Sequence, residues 1–299
     1  MTTETTEITE TTEITGAARP PVAAATPPAP GGVPAARRPA PGRRTRRPAT
    51  LLSRASRRSV AVVAFLALWE VVPLVGLVDP TWLPPFSRVL QSWVELAASG
   101  QLTEHVVVSL QRSLTGFLLA IAVAVPLGLL IAWYRPVADV LDPLLEIFRN
   151  TAALALLPVF TLILGIGETS KIALILFACV WPILLNTIGG VRGVDPLLIK
   201  SARSVGLPSV RLFQKVILPA ALPTIFTGVR LAGAVSILML IAAEMVGAKS
   251  GLGYLINNTQ FNFQIPEMYA GIVTVSVIGV AFNYGLVRVE RRLSRWRNG

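Results

Sequence analysis

Charge is scarce in this chain: 14% of its 299 residues are Asp, Glu, Lys or Arg, against about a quarter in soluble domains. A water-soluble core is therefore an unsuitable reading. Cysteine is nearly absent too, and the single Cys179 sits inside an apolar run, which excludes an intramolecular disulfide and a cysteine metal cluster. His105 is the only histidine, so a multi-histidine metal site has too few members; serine occurs without a paired histidine in any recognisable arrangement, and a surface or packing role is expected for His105. No G-x-x-x-x-G-K-[ST] run occurs anywhere, so the chain lacks the usual loop that cradles ATP phosphates. No enzyme chemistry and no cofactor or metal site is read from these residues.

What is present is apolar. Hydrophobic residues make up 53% of the chain and mean hydropathy is +0.63. The formal net charge of +11 could suggest nucleic acid, but that reading needs basic residues interleaved with aromatics on a folded face. Here they fall between apolar blocks, and no nucleic-acid partner is expected. Residues 1–58 stand apart: a Thr/Glu near-repeat, a Pro/Ala-rich stretch and an arginine-rich run from Arg37 to Arg58. That composition cannot bury enough apolar surface to offset chain entropy and predicts a disordered cytoplasmic tail. A cleavable signal would have a shorter basic start and a small-residue cleavage site. The arginines instead suit cytoplasmic retention and contact with anionic lipid headgroups.

Residues 59–299 read as a membrane domain. A helix crosses a ~30 Å hydrocarbon core with about 20 mainly apolar residues, and six segments qualify: Val60 to Val78, Ser113 to Trp133, Phe148 to Gly165, Ile172 to Gly189, Ala221 to Gly247 and Met268 to Val287. Pro73, Pro126, Pro158 and Pro182 lie within them and predict kinks without breaks. An even number of spans puts both termini on one side. That side receives nearly all the Lys and Arg, leaving Arg88, Arg112, Lys171 and Lys249 opposite and Arg230 inside a span. By the positive-inside rule both termini are cytoplasmic. Between the first two spans, Ser87 is expected to cap a short surface helix carrying Val89, Leu90, Trp93, Val94, Leu96 and Ala97 and ending near Gly100.

The connection from Val194 to Pro223 is the most informative segment. Asp195 and Pro196 supply an N-cap and a first-turn proline. Leu197, Leu198 and Ala202 can share an apolar face, and Gly206 supplies a helix-ending residue. A second short helix runs from Ser209 towards Val216 before the chain re-enters the membrane at Leu218 and Pro219. On physical grounds this helix-turn-helix could read DNA, dock a protein or simply cap the bundle, and its place between two spans favours docking.

The loop resembles the so-called EAA loop of permeases from binding-protein-dependent ABC importers, written E-A-A-x-x-x-G, nine residues, then I-x-L-P. Aligned on the glycine, this chain presents Lys200, Ser201, Ala202, Gly206, Val216, Leu218 and Pro219 at that spacing. The stretches LPPFSRVL, DPLLEIFR, GIGETSKI, PILLNTIGGVRGVDP and TGVRLAGAVSILMLIAAEMVGAKSGLGYLI resemble the branch importing aliphatic sulfonates, taurine, nitrate and related anions. The resemblance spans about residues 60 to 295 and implies an all-α, six-helix type I importer permease. It also implies two copies forming a solute pathway, two separate ATPase subunits carrying ATP and Mg on the 194–223 loop, and an extracytoplasmic solute-binding protein. Lys200 departs from the family by placing a cation where an acidic residue usually meets the ATPase. Gradient-driven carriers are an alternative, but they show internal hydropathy repeats and none is evident here. A membrane assembly protein without transport is another, and it would not need the docking loop.

Ionisable groups inside spans are expensive and so tend to be paired or functional. Arg230 could attract an anionic solute or snorkel to an interface. Glu244, on the same helix but ~21 Å away along the axis, is expected to be structural or gating, and neither can pair with the other. Glu70 is expected to bond a neighbouring helix.

Overall fold

The structure is a computed structural model that describes residues 49–293. Of the expected disordered tail, residues 1–58, the first 48 lie outside the described residues, while residues 49–58 are helical and form the start of the first helix. These hold α1 (Ala49–Leu74), α2 (Phe86–Ala98), α3 (Gln101–Trp133), α4 (Arg135–Asn150), α5 (Leu157–Leu164), α6 (Glu168–Arg192), α7 (Pro196–Ser204), α8 (Ser209–Leu212), α9 (Leu218–Met245), α10 (Leu252–Phe261) and α11 (Ile265–Leu293). No strand occurs among them.

Four stretches are long and apolar enough to cross a membrane: Gln101–Trp133, Glu168–Arg192, Ser209–Met245 and Ile265–Arg292. A bent pair makes up to five, and Val60–Leu74 is apolar but short. The expected third span, Phe148 to Gly165, is broken, with an 87° bend between Pro136–Asn150 and Ala153–Leu164. The cause is local. Asn150 Nδ2 donates to Glu146 O at 2.9 Å and Thr151 Oγ1 to Ile147 O at 3.0 Å, so these side chains occupy the last carbonyls of α4. A 3-10 turn, Ala153–Leu156, follows, and Pro158 sits in the first turn of α5, where its missing N–H costs nothing. Pro158 thus starts a helix and does not kink one, whereas Pro73, Pro126 and Pro182 stand inside helices.

The second span begins well before the expected Ser113, because α3 starts at Gln101 after Gly100 (φ +81°). Arg112 therefore lies within the helix. Ser87 is not the cap of α2, a position held by Pro85. Instead the Ser87 N–H and Oγ donate to Glu70 at 2.9 and 2.8 Å, placing a carboxylate from α1 at the helix N-terminus where the dipole favours it. Glu70 therefore bonds a neighbouring helix.

The core is built on α3, α6 and α9, which approach closely because small residues face the contacts. A Cβ on Gly116 would lie 2.8 Å from Ile175, one on Gly128 2.8 Å from Thr187, and one on Gly228 2.6 Å from Asn186. Ile131, Ile175, Ile183 and Leu184 fill this interface and are fully buried. A second cluster joins Val89 and Leu96 of α2, Leu102 of α3, Leu252 and Leu255 of α10 and Ala270 of α11. Outward positions such as Leu118, Leu162, Leu238 and Val280 are exposed, as expected where lipid or another chain covers an apolar face.

Candidate functional site

The 194–223 connection is set by local chemistry. Asp195 Oδ1 accepts from the Leu197 N–H at 2.8 Å, capping α7. At the other end the Gly206 N–H reaches Arg203 O at 2.9 Å and the Leu207 N–H reaches Ala202 O at 3.2 Å, the two bonds of a Schellman ending. This ending needs a left-handed residue, and Gly206 has φ +79°.

Ser209 does begin a second helix, but the expected break before Leu218 is absent. α8 passes through a π-helical stretch, Phe213–Ile217, straight into α9, making one 37-residue helix from Ser209 to Met245. A proline ring at 219 would crowd the carbonyl of Lys215 in a regular α-helix, and widening the preceding turn relieves that crowding. The two faces of the loop differ. Ile199, Ala202, Val216 and Leu218 pack on the core, and the Phe213 ring meets Trp133 of α3 edge-on at 4.9 Å. Leu197, Leu198, Val205 and Val210 point outward at 71, 51, 78 and 67% exposure. Of the residues matched to the EAA loop, Lys200, Ser201 and Gly206 are exposed, while Ala202, Val216, Leu218 and Pro219 are half-buried.

At the opposite ends of α6 and α9 lies a charge cluster built around Arg112. Its guanidinium grips Glu168 with both Nε and Nη2, each at 2.5 Å. Its Nη1 donates to Glu244 Oε1 and to Ser250 O, both at 2.7 Å. Glu244 also accepts from Ser109 Oγ at 2.8 Å and from the Gly253 N–H at 2.9 Å. Ser109 Oγ in turn accepts from the Leu252 N–H at 2.8 Å, and His105 Nδ1 accepts from the Gly251 N–H at 3.1 Å. Every member of this buried core is bonded, which is what makes a buried ion pair tolerable. The two arms of Arg112 differ in exposure: the Glu244 side chain is 0% accessible and that of Glu168 61%. Lys171, one turn along α6 from Glu168, is also buried and donates to Gly167 O at 3.1 Å.

Glu244 and Arg230 are not brought together. Glu244 is enclosed in the cluster, whereas Arg230 is exposed on α9 with Nε donating to Asn283 Oδ1 of α11 at 3.2 Å. Arg112 and Lys171 had been assigned as flanking charges outside the spans. A helix begun at Gln101 carries Arg112 in its fourth turn, and one begun at Glu168 carries Lys171 in its first. Among the described residues no cluster of His, Cys, Asp and Glu fits a metal ion.

Residues 124–295 match the model of the family described as binding-protein-dependent transport system inner membrane component. The chain is 36% identical over 233 residues to the putative aliphatic sulfonates transport permease protein SsuC of Bacillus subtilis (strain 168), covering 78% of this chain and 84% of that protein. It is 33% identical to the taurine transport system permease protein TauC of Escherichia coli (strain K12), covering 82% and 91%, and 28% identical to the bicarbonate transport system permease protein CmpB of Synechocystis sp., covering 78% and 86%. A chain of the inward-facing MetNI methionine ABC transporter shares the fold at a TM-score of 0.56 and 19% identity, covering 66% of this chain and 98% of that one.

Proposed function

Because the chain belongs to the binding-protein-dependent transport system inner membrane components, and so is the permease of an ABC importer and not its ATPase, we propose the following arrangement. Two copies line a path for a small anionic solute, a sulfonate or taurine in the first instance. The 194–223 loop lies on the cytoplasmic side with both termini, and docks one ATPase subunit per copy. An extracytoplasmic binding protein delivers solute to the opposite face, where the Arg112 cluster lies.

The observation that carries this reading is the two-faced loop. Its inner side is pinned to the core while Leu197, Leu198, Val205 and Val210 are exposed, an arrangement that suits a lever set in a partner's cleft. Lys200, exposed on α7, calls for an acidic residue on that partner. Solute preference rests on the relatives' names, and Arg230 is the residue of the inner path suited to attract an anion.

The test is co-purification with a candidate partner ATPase. Hydrolysis that rises when taurine-loaded binding protein is added supports the importer. Uptake driven by an ion gradient without ATP would instead indicate a carrier. Lys200→Glu should weaken ATPase association about tenfold, and an unchanged association would remove the acidic partner residue from the reading.

A further inference from the structure

Three features that favour an anion converge at the start of α6. One is the edge of Arg112 formed by Nε and Nη2, a planar fork with the spacing of carboxylate or sulfonate oxygens. Another is Lys171, 5% exposed, whose one hydrogen bond among the described residues goes to the Gly167 carbonyl, a single acceptor for a three-donor ammonium. Beside it lies a narrow crevice with room for about one water, lined by Thr161, Ser170 and Lys171 among apolar side chains. The third is the N-terminus of α6 itself, a 25-residue helix whose first N–H groups favour negative charge.

A carboxylate already occupies this convergence. Glu168 lies across the fork with both oxygens at 2.5 Å, so the geometry accepts a two-oxygen anion. Yet Glu168 is the one member of the cluster that faces outward, at 61% exposure, while Arg112 and Glu244 are sealed. With Glu168 in place, Arg112 and Lys171 are balanced by Glu168 and Glu244. With Glu168 swung out, one positive charge is left over in a poorly solvated pocket, where it attracts a monoanion more strongly than it would in water.

We propose that the Arg112 fork is a receiving site for an anionic headgroup, sulfonate or carboxylate, and that Glu168 is a tethered carboxylate that the incoming anion displaces. The inference deepens the importer reading and rests on it. Arg112 keeps its Nη1 bonds to Glu244 and Ser250 throughout, so the site opens without exposing the buried pair. Lys171 gains a partner when the anion arrives.

The test uses the purified permease–ATPase complex without binding protein, at low salt, with radiolabelled ethanesulfonate as the probe and ethanolamine as a cationic control. Glu168→Gln keeps the side-chain volume and leaves the Arg112–Glu244 bond untouched, so folding is not at stake. It should tighten ethanesulfonate binding about fivefold, the upper range for removing one partly exposed ion pair, and leave ethanolamine ineffective as a competitor. Lys171→Met should weaken binding by a similar factor. Binding that is unchanged or weaker in Glu168→Gln, or absent from both proteins, overturns the proposal and makes Glu168 a plain clamp. Stimulation of hydrolysis by loaded binding protein, measured on the same preparations, separates the two readings. If stimulation persists while the Glu168→Gln effect is missing, only the receiving site falls; if wild-type stimulation is missing, the importer reading falls first.

Discussion

Removing Arg112 should cost far more than removing Glu168, although both end the same bidentate pair. The Glu244 side chain is 0% exposed, and Arg112→Met leaves its charge with only Ser109 and the Gly253 N–H for company. Stripping one partner from a buried pair costs about 3–5 kcal/mol, and the lower end applies here because an unfolded chain in a bilayer also finds polar partners. Glu168→Gln disturbs a carboxylate that is 61% exposed, and solvent screening limits such a pair to about 1 kcal/mol at most. Glu244→Met alone should be costly as well, since it orphans Ser109 and the Gly253 N–H. The double variant Arg112→Met/Glu244→Met should be less unstable than the two single losses summed, by about 2 kcal/mol, because the uncompensated charge disappears. Reversible unfolding in bicelles, read by steric trapping, supplies all four values. Equal losses for Arg112→Met and Glu168→Gln, or simple additivity in the cycle, would refute the assignment of a sealed and an open arm.

Three further outcomes are expected. At Gly206 no atom lies within 4 Å of an added Cβ, so the cost of substitution is conformational, about 1–2 kcal/mol for a left-handed non-glycine residue. Gly206→Asn should keep most uptake, whereas Gly206→Arg should abolish uptake in proteoliposomes without impairing membrane insertion; uptake equal to wild type in the arginine variant would count against the docking role. Gly253→Ala puts a Cβ 2.6 Å from Ile241 O and 2.7 Å from Glu244 Cβ, and overpacking of that kind should lower unfolding stability by about 1–3 kcal/mol, with no measurable loss as the contrary result. Arg230→Gln should raise the solute concentration for half-maximal stimulation of hydrolysis while leaving the amount of folded protein unchanged, since among the described residues the exposed Arg230 bonds only Asn283; loss of folded protein would point to a packing role.

The legible parts of this chain are those whose causes are local. Asp195, Pro196 and Gly206 specify a cap and a stop within twelve neighbouring residues, and the structure forms both. The break at Thr151 was illegible to hydropathy, because it comes from side chains bonding the carbonyls one turn back, an effect with no apolarity signature. The π-helical passage into α9 was hidden for a related reason: Leu218–Pro219 reads as an interruption until the preceding turn is allowed to widen. The Arg112 cluster was missed because its members are distant in sequence, with 132 residues separating Arg112 from Glu244. Treating Arg112 as a flanking charge followed from starting the span at Ser113, whereas a helix begun at Gln101 carries it within the packed bundle, where a buried cation requires a carboxylate.

The loop and the Arg112 cluster occupy opposite ends of the same two helices, and this limits how one can act on the other. α6 and α9 contain 25 and 28 residues, about 37 and 42 Å of helix, and they touch backbone to side chain at Gly190 against Thr224 and at Gly228 against Asn186. α3 is fastened to α6 in the same way at Gly116 and Gly128. Interfaces this close resist sliding, so a push on α7 should move α3, α6 and α9 together. The compliant points are at the margins: the π-helical turn Phe213–Ile217 and the bend after Asn150. In the proposed two-copy arrangement, opening of a path is then expected between the three-helix bodies of the copies and not within one. Spin labels at Gly189, where an added side chain meets nothing within 4 Å, and at Thr227, whose side chain is exposed on α9, should keep one separation in ADP- and ATP-bound complexes, within the ~1–2 Å of ordinary helix shifts. A change of a full helical turn, ~5.4 Å, would show that α6 slides on α9, and the cluster around Arg112 would then have to break with every cycle.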